Sequence, residues 1–532
     1  MDIKNLIYMA DKAVKDNKIP YSIKLLEKAL EIEPNSFDIC AKLGILNFKL
    51  NHINTSIRYF EKTILLKPNS SLGYSNLGII YTKLKNKNLA FKNYLKAMEI
   101  DPKSFVTNYN LGNHYVTCND LENAEKYYLI SIELEPKNFY PYNNLFQLYD
   151  RSNNLKKLDL IISKIINVFG RISSVTFLEG IFEFRKKNYK KTIELFKDLE
   201  IDQKDFQRNA LKTNILGKCY DFVGSYSEAY NNFSLSNNIV ESFMKDKFDK
   251  NNYINLIKKK INFFSKKQIK INNKTNTYDT FSDPVFLIGF PRSGTTLLDT
   301  ILRTHKSVKV LEEKSLVDEL IIKLNKVINA NVSDLYNIND NIIKECRQLY
   351  FQSRKNLIGF ENNIIYIDKM PLNILYIAEL NKIFPRAKFI LAIRNPFDVI
   401  LSCFMQPFVP NDAMSNFYNL KDTSEFYDLV MKLWKHCENN LNLDLHVIKY
   451  ENVVNNFDTT IKNLIKFLNI NWSDDLKYFY KTAENRGIIH TPSYNQVNRP
   501  LYKQSISRWK NYDDKFSSIK IKLNKWAKLF EY

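Results

Sequence analysis

The chain has 532 residues, 45% hydrophobic and 25% charged, which is a globular composition long enough for two to four domains with ample cores. Lysine and arginine total 78 against 57 acidic residues, a formal charge of +21, yet lysine is spread throughout and no arginine-rich, aromatic-interleaved patch or DNA-binding helix signature stands out. The charge therefore points to attraction of an anionic ligand, with no nucleic-acid partner expected. No apolar run approaches the ~20 residues of a membrane span, and the N-terminus lacks the apolar core of a signal peptide. The six cysteines contain no C-x-x-C pair. A cytoplasmic protein with no membrane span, no disulfide framework and no metal site is expected.

The N-terminal stretch MDIKNLIYMADKAVKDNK reads as an amphipathic helix. Prolines then recur at Pro34, Pro68, Pro102 and Pro136, each following a charged residue. Leu43-Gly44, Leu77-Gly78 and Leu111-Gly112 keep the same interval, as do small Ser56, Ala90 and Ala124 ahead of aromatic Phe60, Tyr94 and Tyr128. Small residues let paired helices approach, and the aromatics fill the groove between neighbours. The period and pattern resemble the tetratricopeptide repeat. Residues 1–237 are expected to be an α-solenoid, regular to about residue 150 and degenerate after it. Gly180, Thr192 and Phe196, then Gly217, Ala229 and Phe233, carry the internal spacings onward. Such an array would hold a peptide or protein partner, or serve as a scaffold or homodimerisation arm. Residues 238–282, including the basic run Lys258–Lys274, read as a polar linker.

From residue 283 to 532, strand-like runs alternate with helical ones. Val285–Phe290, Val308–Leu311, Ile364–Ile367, Phe389–Ile393 and Leu445–Tyr450 are expected to pair in parallel within a three-layer α/β/α domain, its ligand at the strand C-terminal ends. The first run enters the loop Pro291-Arg292-Ser293-Gly294-Thr295-Thr296 and then a helix, an arrangement that aims backbone N–H groups and the helix dipole at one anion. Gly289 and Gly294 have the spacing of a nucleotide-triphosphatase loop, but Thr295 stands where that motif requires lysine. A γ-phosphate clamp is disfavoured. Arg292 supplies the cation instead, with a planar fork suited to a phosphate ester. A second basic site follows the fourth strand, where Arg394 precedes Asn395-Pro396 and Ser402 lies eight residues on.

These ordered motifs, with a C-terminal basic-Pro and Trp stretch, resemble the sulfotransferases that use 3′-phosphoadenosine 5′-phosphosulfate. The resemblance is greatest to tyrosylprotein sulfotransferases and their bacterial relatives fused to tetratricopeptide repeats. It covers Asp283 to about Tyr512. It implies that Arg292, Ser293, Gly294, Thr295 and Thr296 hold the 5′-phosphosulfate, that Arg394 and Ser402 hold the 3′-phosphate, and that Tyr450 contacts the cofactor. It implies a closing loop, Ser493–Tyr502, in which Gln496, Val497, Arg499 and Pro500 face the cofactor ahead of Arg508. Glu313 is implied as the base, Lys369 as the cation at the bridging oxygen, and Ser493 as a further hydrogen-bond donor. The reaction implied is in-line sulfuryl transfer to a hydroxyl, on protein tyrosine, a glycan or a small molecule, without a metal.

Some positions depart from that family. Lys314 and Ser315 replace an arginine beyond the base that helps receive acidic peptides, and Gln406 replaces an arginine near the 3′-phosphate serine. Glu312 competes with Glu313 for the role of base. His305 reads as a helix-end polar residue, and His490 lies close enough to the closing loop to touch an acceptor. Two other readings stay open on sequence grounds: a P-loop kinase or nucleotide hydrolase, and a non-enzymatic repeat adaptor carrying a decayed catalytic domain.

Overall fold

The computed structural model describes residues 2–266, 282–328, 334–335, 338–485 and 499–532. They form two compact units, Met1–Phe182 and Glu183–Tyr532.

The first unit is a solenoid of helix pairs running from Ile3–Lys15 and Ile19–Ile32 to Phe139–Arg151 and Leu155–Phe169. Its period has a backbone cause that the proline spacing did not reveal. Asn17, Asn51, Lys85, Asn119, Asn153 and Lys187 all sit in the left-handed region, at φ between +53° and +65°. Each closes the tight turn within one helix pair, where asparagine tolerates that conformation best. The 34-residue register therefore runs through Lys187, beyond the point near residue 150 where the sequence pattern thins. The helices pack through a repeated ring-on-glycine contact. A Cβ at Gly78 would meet the Tyr94 ring at 2.5 Å, and one at Gly217, in the second unit, would meet Phe233 at 2.8 Å.

The second unit is built on a five-stranded parallel sheet in the order β2-β3-β1-β4-β5. The strands are β1 (Val285–Gly289), β2 (Val308–Glu312), β3 (Ile365–Lys369), β4 (Lys388–Ile393) and β5 (Asp444–Lys449), within two residues of the expected runs. Side chains alternate between two apolar layers. Phe286, Ile288, Leu311, Phe389 and Leu391 face one way, while Leu287, Val310, Ile367, Ile390 and Ile448 face the other. Helices Leu316–Ile328 and Leu420–Asn440 cover the first layer, and Thr295–Arg303 and Phe457–Phe467 the second. The result is a three-layer α/β/α domain.

The helices before the sheet share its core. Ala229, Phe233, Ile257 and Phe264 join the first apolar layer. Asn214 donates to the Met405 carbonyl at 3.0 Å and Asn237 to the Phe404 carbonyl at 2.9 Å. This differs from the sequence reading of 238–282 as a basic polar linker. Asn251–Lys266 is a helix, whose lysines mask an apolar face, and residues 267–281 lie outside the described ones. Within it Lys260 is buried, donating to the Leu375 carbonyl at 2.7 Å and to Glu379 at 2.5 Å, with its ammonium over the Tyr376 ring.

Removing Lys260 would leave the Glu379 carboxylate buried without its cation. Lys260→Ala should destabilise the second unit by about 3–5 kcal/mol. All four tryptophans, Trp434, Trp472, Trp509 and Trp526, lie in that unit, so urea unfolding followed by tryptophan fluorescence reports it. A loss below ~1 kcal/mol would show that the pair does not hold the helix in place.

Candidate functional site

At the C-terminal ends of the strands the chain must leave a tightly packed sheet within a few residues, and glycine makes this feasible. A Cβ at Gly289 would lie 2.6 Å from the Ala392 carbonyl oxygen, so β1 and β4 pair to their ends only with glycine there. The loop then turns through two left-handed residues, Arg292 at φ +70° and Gly294 at φ +98°, before the Thr295–Arg303 helix. The N–H groups of that first turn have no intrahelical partners and point into a cavity of about 310 Å³. Gly294 is needed here too, because a Cβ would meet the Tyr450 ring at 2.8 Å.

Most of the expected anion-binding residues converge on this cavity. Pro291, Arg292, Gly294, Thr295, Thr296, Arg394, Ser402, Tyr450, Arg499, Pro500 and Arg508 all line it, while Ser293 is buried beside it. Arg292 donates from Nε to Ser402 Oγ at 2.9 Å, so residues expected at opposite ends of the cofactor touch one another. Burial, ahead of the neighbouring Arg394 charge, pushes the Arg292 guanidinium below its usual range. Arg394 is 8% exposed. It donates to the Arg292 carbonyl at 3.3 Å and to the Ser505 carbonyl, and its guanidinium lies 4.7 Å from the Tyr450 ring centre. Its Nε and that of Arg499 are buried without a partner among the described residues. Arg499 stacks on Tyr502 at 3.8 Å. Arg508 forms a two-toothed ion pair with Asp221.

The second cluster lies on the β2–β3 side. Glu312 and Lys369 are register partners at the ends of their strands. Glu313, one residue on, swings into the left-handed region at φ +49° while its N–H still donates to the Lys369 carbonyl at 2.8 Å. That turn brings its carboxylate to the cavity wall. Lys369 is fully buried, with Nζ 2.8 Å from Glu313 Oε1 and 3.5 Å from Glu312 Oε1. Its ammonium thus supports the glutamates from below. Glu313, and not buried Glu312, faces the open space. The wall beside Glu313 is apolar, with Met370, Leu372, Met405, Phe408, Val409 and Met414.

Ser493, Gln496, Val497 and His490 lie outside the described residues. His305 serves the framework: its Nδ1 accepts from the Ser307 N–H at 3.1 Å and its Nε2 lies 2.9 Å from the Asn471 carbonyl. Lys314 and Gln406 do not line the cavity.

Sequence reasoning missed Asp398. Its carboxylate accepts from the N–H groups of Ser507 at 2.7 Å and Trp509 at 3.0 Å, the two residues flanking Arg508. Burial raises its pKa, and the Arg394 charge and those N–H bonds oppose the rise. Trp509 stacks on Phe397 at 4.3 Å. Asp398 follows Asn395-Pro396 in the first turn of a helix, where an acid reads as an ordinary dipole partner, so nothing local flagged it. Ser505 escaped for a similar reason, having no motif of its own.

The residues fit a polyanion. Among the described residues two buried guanidinium nitrogens lack partners, glycine admits close backbone approach at the loop, and two neighbouring carboxylates, Asp221 and Asp398, are already engaged. Among the described residues no group of three or more His, Cys, Asp or Glu is arranged to hold a metal, and no helix is long and apolar enough to cross a membrane.

The fold and this cavity define a three-layer α/β domain that follows helical repeats in the chain. Residues 284–474 match the Sulfotransferase family, and residues 73–104 and 106–138 match the Tetratricopeptide repeat. The chain thus joins tetratricopeptide repeats to a sulfotransferase-family domain. It is 25% identical over 238 residues to an uncharacterized protein of Aquifex aeolicus (strain VF5), covering 43% of this chain and 31% of that protein. It is 24% identical over 239 residues to protein-tyrosine sulfotransferase 1 of Danio rerio, covering 42% of this chain and 65% of that enzyme. Both matches therefore span less than two thirds of the relative. Among solved structures, a thermophilic TPR protein of Thermus thermophilus aligns over 35% of this chain and all of that one, with 16% identity and a TM-score of 0.31.

One buried acid near the site gives a pH signature. Asp368, fully buried beside Lys369, accepts from the Tyr350 hydroxyl at 3.1 Å, and burial pushes its pKa up to about 7. Its unfolded value is about 3.9, so its contribution to stability is complete below that pH and is lost as pH rises towards 7. Asp368→Asn should therefore lose less stability than the parent chain between pH 4 and 7, read as urea midpoints across that range. Parallel curves would remove Asp368 as the titrating group.

Proposed function

We propose that the protein is a sulfotransferase that moves the sulfuryl group of 3′-phosphoadenosine 5′-phosphosulfate to a hydroxyl acceptor. The observation that carries this reading is that one cavity brings together a double arginine cradle and a carboxylate on its opposite wall. The N–H groups of the loop and helix start, with Arg292, Thr295 and Thr296, would hold the 5′-phosphosulfate, and Arg394 with Ser402 and Tyr450 the 3′-phosphate end. When bound, this donor supplies the activated sulfuryl group and a bisphosphate leaving group.

The chain's own residues then have defined tasks. Glu313 Oε accepts the proton of the attacking hydroxyl, held in place by the 2.8 Å contact to Lys369. The buried arginines and loop dipoles stabilise charge on the departing phosphate, and their low-dielectric setting strengthens the effect. Lys369 restrains the Glu313 carboxylate and adds positive charge beneath the reacting groups. The apolar wall of Met370, Leu372, Met405 and Phe408 favours a hydroxyl on a flat, largely apolar group. A protein tyrosine is the acceptor this suits best, in line with the printed names of the Danio rerio, Gallus gallus and Mus musculus relatives. The repeats would hold the acceptor protein. Missing arginines at Lys314 and Ser315 weaken the case for strongly acidic flanks.

Calorimetry with 3′,5′-adenosine bisphosphate should detect metal-independent binding that Arg394→Ala abolishes. Glu313→Gln should bind the bisphosphate as the parent does while losing about 10²–10⁴ in turnover on a tyrosine peptide. No bisphosphate binding by folded protein, with magnesium ATP bound instead, would return the domain to the kinase class.

A further inference from the structure

The helix Asp340–Ile358 buries two arginines, Arg347 and Arg354, spaced two turns apart on one face. The fold treats them differently. Arg347 is paired: its guanidinium lies 2.8 Å from the Asp283 carboxylate and donates to the Ile383 carbonyl at 3.0 Å. Arg354 is only 4% exposed, its Nε is buried without a hydrogen-bond partner, and no carboxylate among the described residues pairs with it. The acidic groups that act on its charge are the hydroxyls of Tyr350 and Tyr366. Both are bonded elsewhere, Tyr350 to Asp368 at 3.1 Å and Tyr366 to the Glu361 N–H at 2.8 Å.

Aromatic rings hold the guanidinium in place. It lies 4.2 Å from the Tyr366 ring centre, 4.9 Å from that of Phe351 and 6.0 Å from that of Phe360. Rings offset part of a positive charge but leave its N–H donors unmet. Arg354 opens onto a hollow of about 890 Å³, bordered also by Lys323, Glu345, Gln348, Lys355 and Phe360. None of the residues lining this hollow borders the central cavity. Glu345, the acid on its wall among the described residues, is tied to Lys323 at 2.9 Å, so Arg354 and Lys355 leave the hollow positive.

A guanidinium taken out of water is costly unless an anion meets it. Asp283 meets that need for Arg347 from within the chain. We infer that Arg354 anchors a second ligand site, separate from the central cavity, for an organic oxyanion: a carboxylate or phosphate ester whose apolar body packs against Leu349 and Phe360. The planar fork of Arg354 takes the oxyanion, Lys355 adds charge, and the Gln348 amide is a further donor at the wall. Burial also pushes the Arg354 guanidinium below its usual range, as befits a cation that lacks a counter-ion of its own. The inference does not depend on the sulfotransferase reading.

The test is calorimetric titration of the full chain with phenyl phosphate and with benzoate, repeated with 3′,5′-adenosine bisphosphate in excess. At least one probe should bind with a Kd below about 1 mM, unaffected by the bisphosphate, and the tighter of the two shows whether the site takes phosphate esters or carboxylates. Arg354→Met should weaken that binding about tenfold or more. Phe360→Ala, a change at an exposed side chain, should weaken it by more than about twofold at an unchanged melting temperature, which keeps the test decisive if the Arg354 variant does not fold. The inference is overturned if neither probe binds the parent chain, or if the bisphosphate displaces the probe. It is equally overturned if folded Arg354→Met, or Phe360→Ala, binds within about twofold of the parent.

Discussion

The site depends on how closely β1 and β4 approach at their C-terminal ends. With a hydrogen in place of a side chain at Gly289, the Ala392 carbonyl closes to within 2.6 Å of where a Cβ would be. The loop after β1 and the residue after β4 then lie side by side. Arg394 reaches the Arg292 carbonyl, and Arg292 reaches Ser402 in the helix that follows β4. A bulkier residue at position 289 would part the strands and separate Arg292 from Arg394.

That closeness has an electrostatic cost. Arg292 and Arg394 are desolvated together, and the fold offers few carboxylates to offset them. Asp398 is spent on the backbone around Arg508, and Asp221 on Arg508 itself. Among the described residues, Arg394 Nε and Arg499 Nε stay buried and unpartnered. A site in this condition is preorganised for a polyanion, because the protein has already met the reorganisation cost. On the opposite wall the charge balance reverses. Two glutamates converge on one buried lysine, and one of them, Glu313, lines the same cavity as the arginines.

Much of this was legible in sequence because its determinants are local. The strands announced themselves as short β-branched runs, and the loop with Arg292 as small residues between a strand and a helix. Arg394 and Lys369 stood at or just after strand ends, the places where parallel sheets present ligands. Glu313 was separable from Glu312 only once its left-handed turn was visible. Asp398 and Asp221 carried no signal, because their importance comes from partners 109 to 291 residues away in sequence.

By itself, the sequence determined the repeat period, the α/β class and the small-residue loop between β1 and its helix, since each arises from spacing and backbone preference within about a turn or a strand. Tertiary structure decided which helices belong to the second unit, which begins at Glu183, and which charges stand next to one another. Pattern cannot supply these. Whether an acid on an amphipathic helix meets water or a guanidinium depends on what packs against that face, and the partners of Asp221, which are Arg508 and Tyr512, come from the far end of the chain.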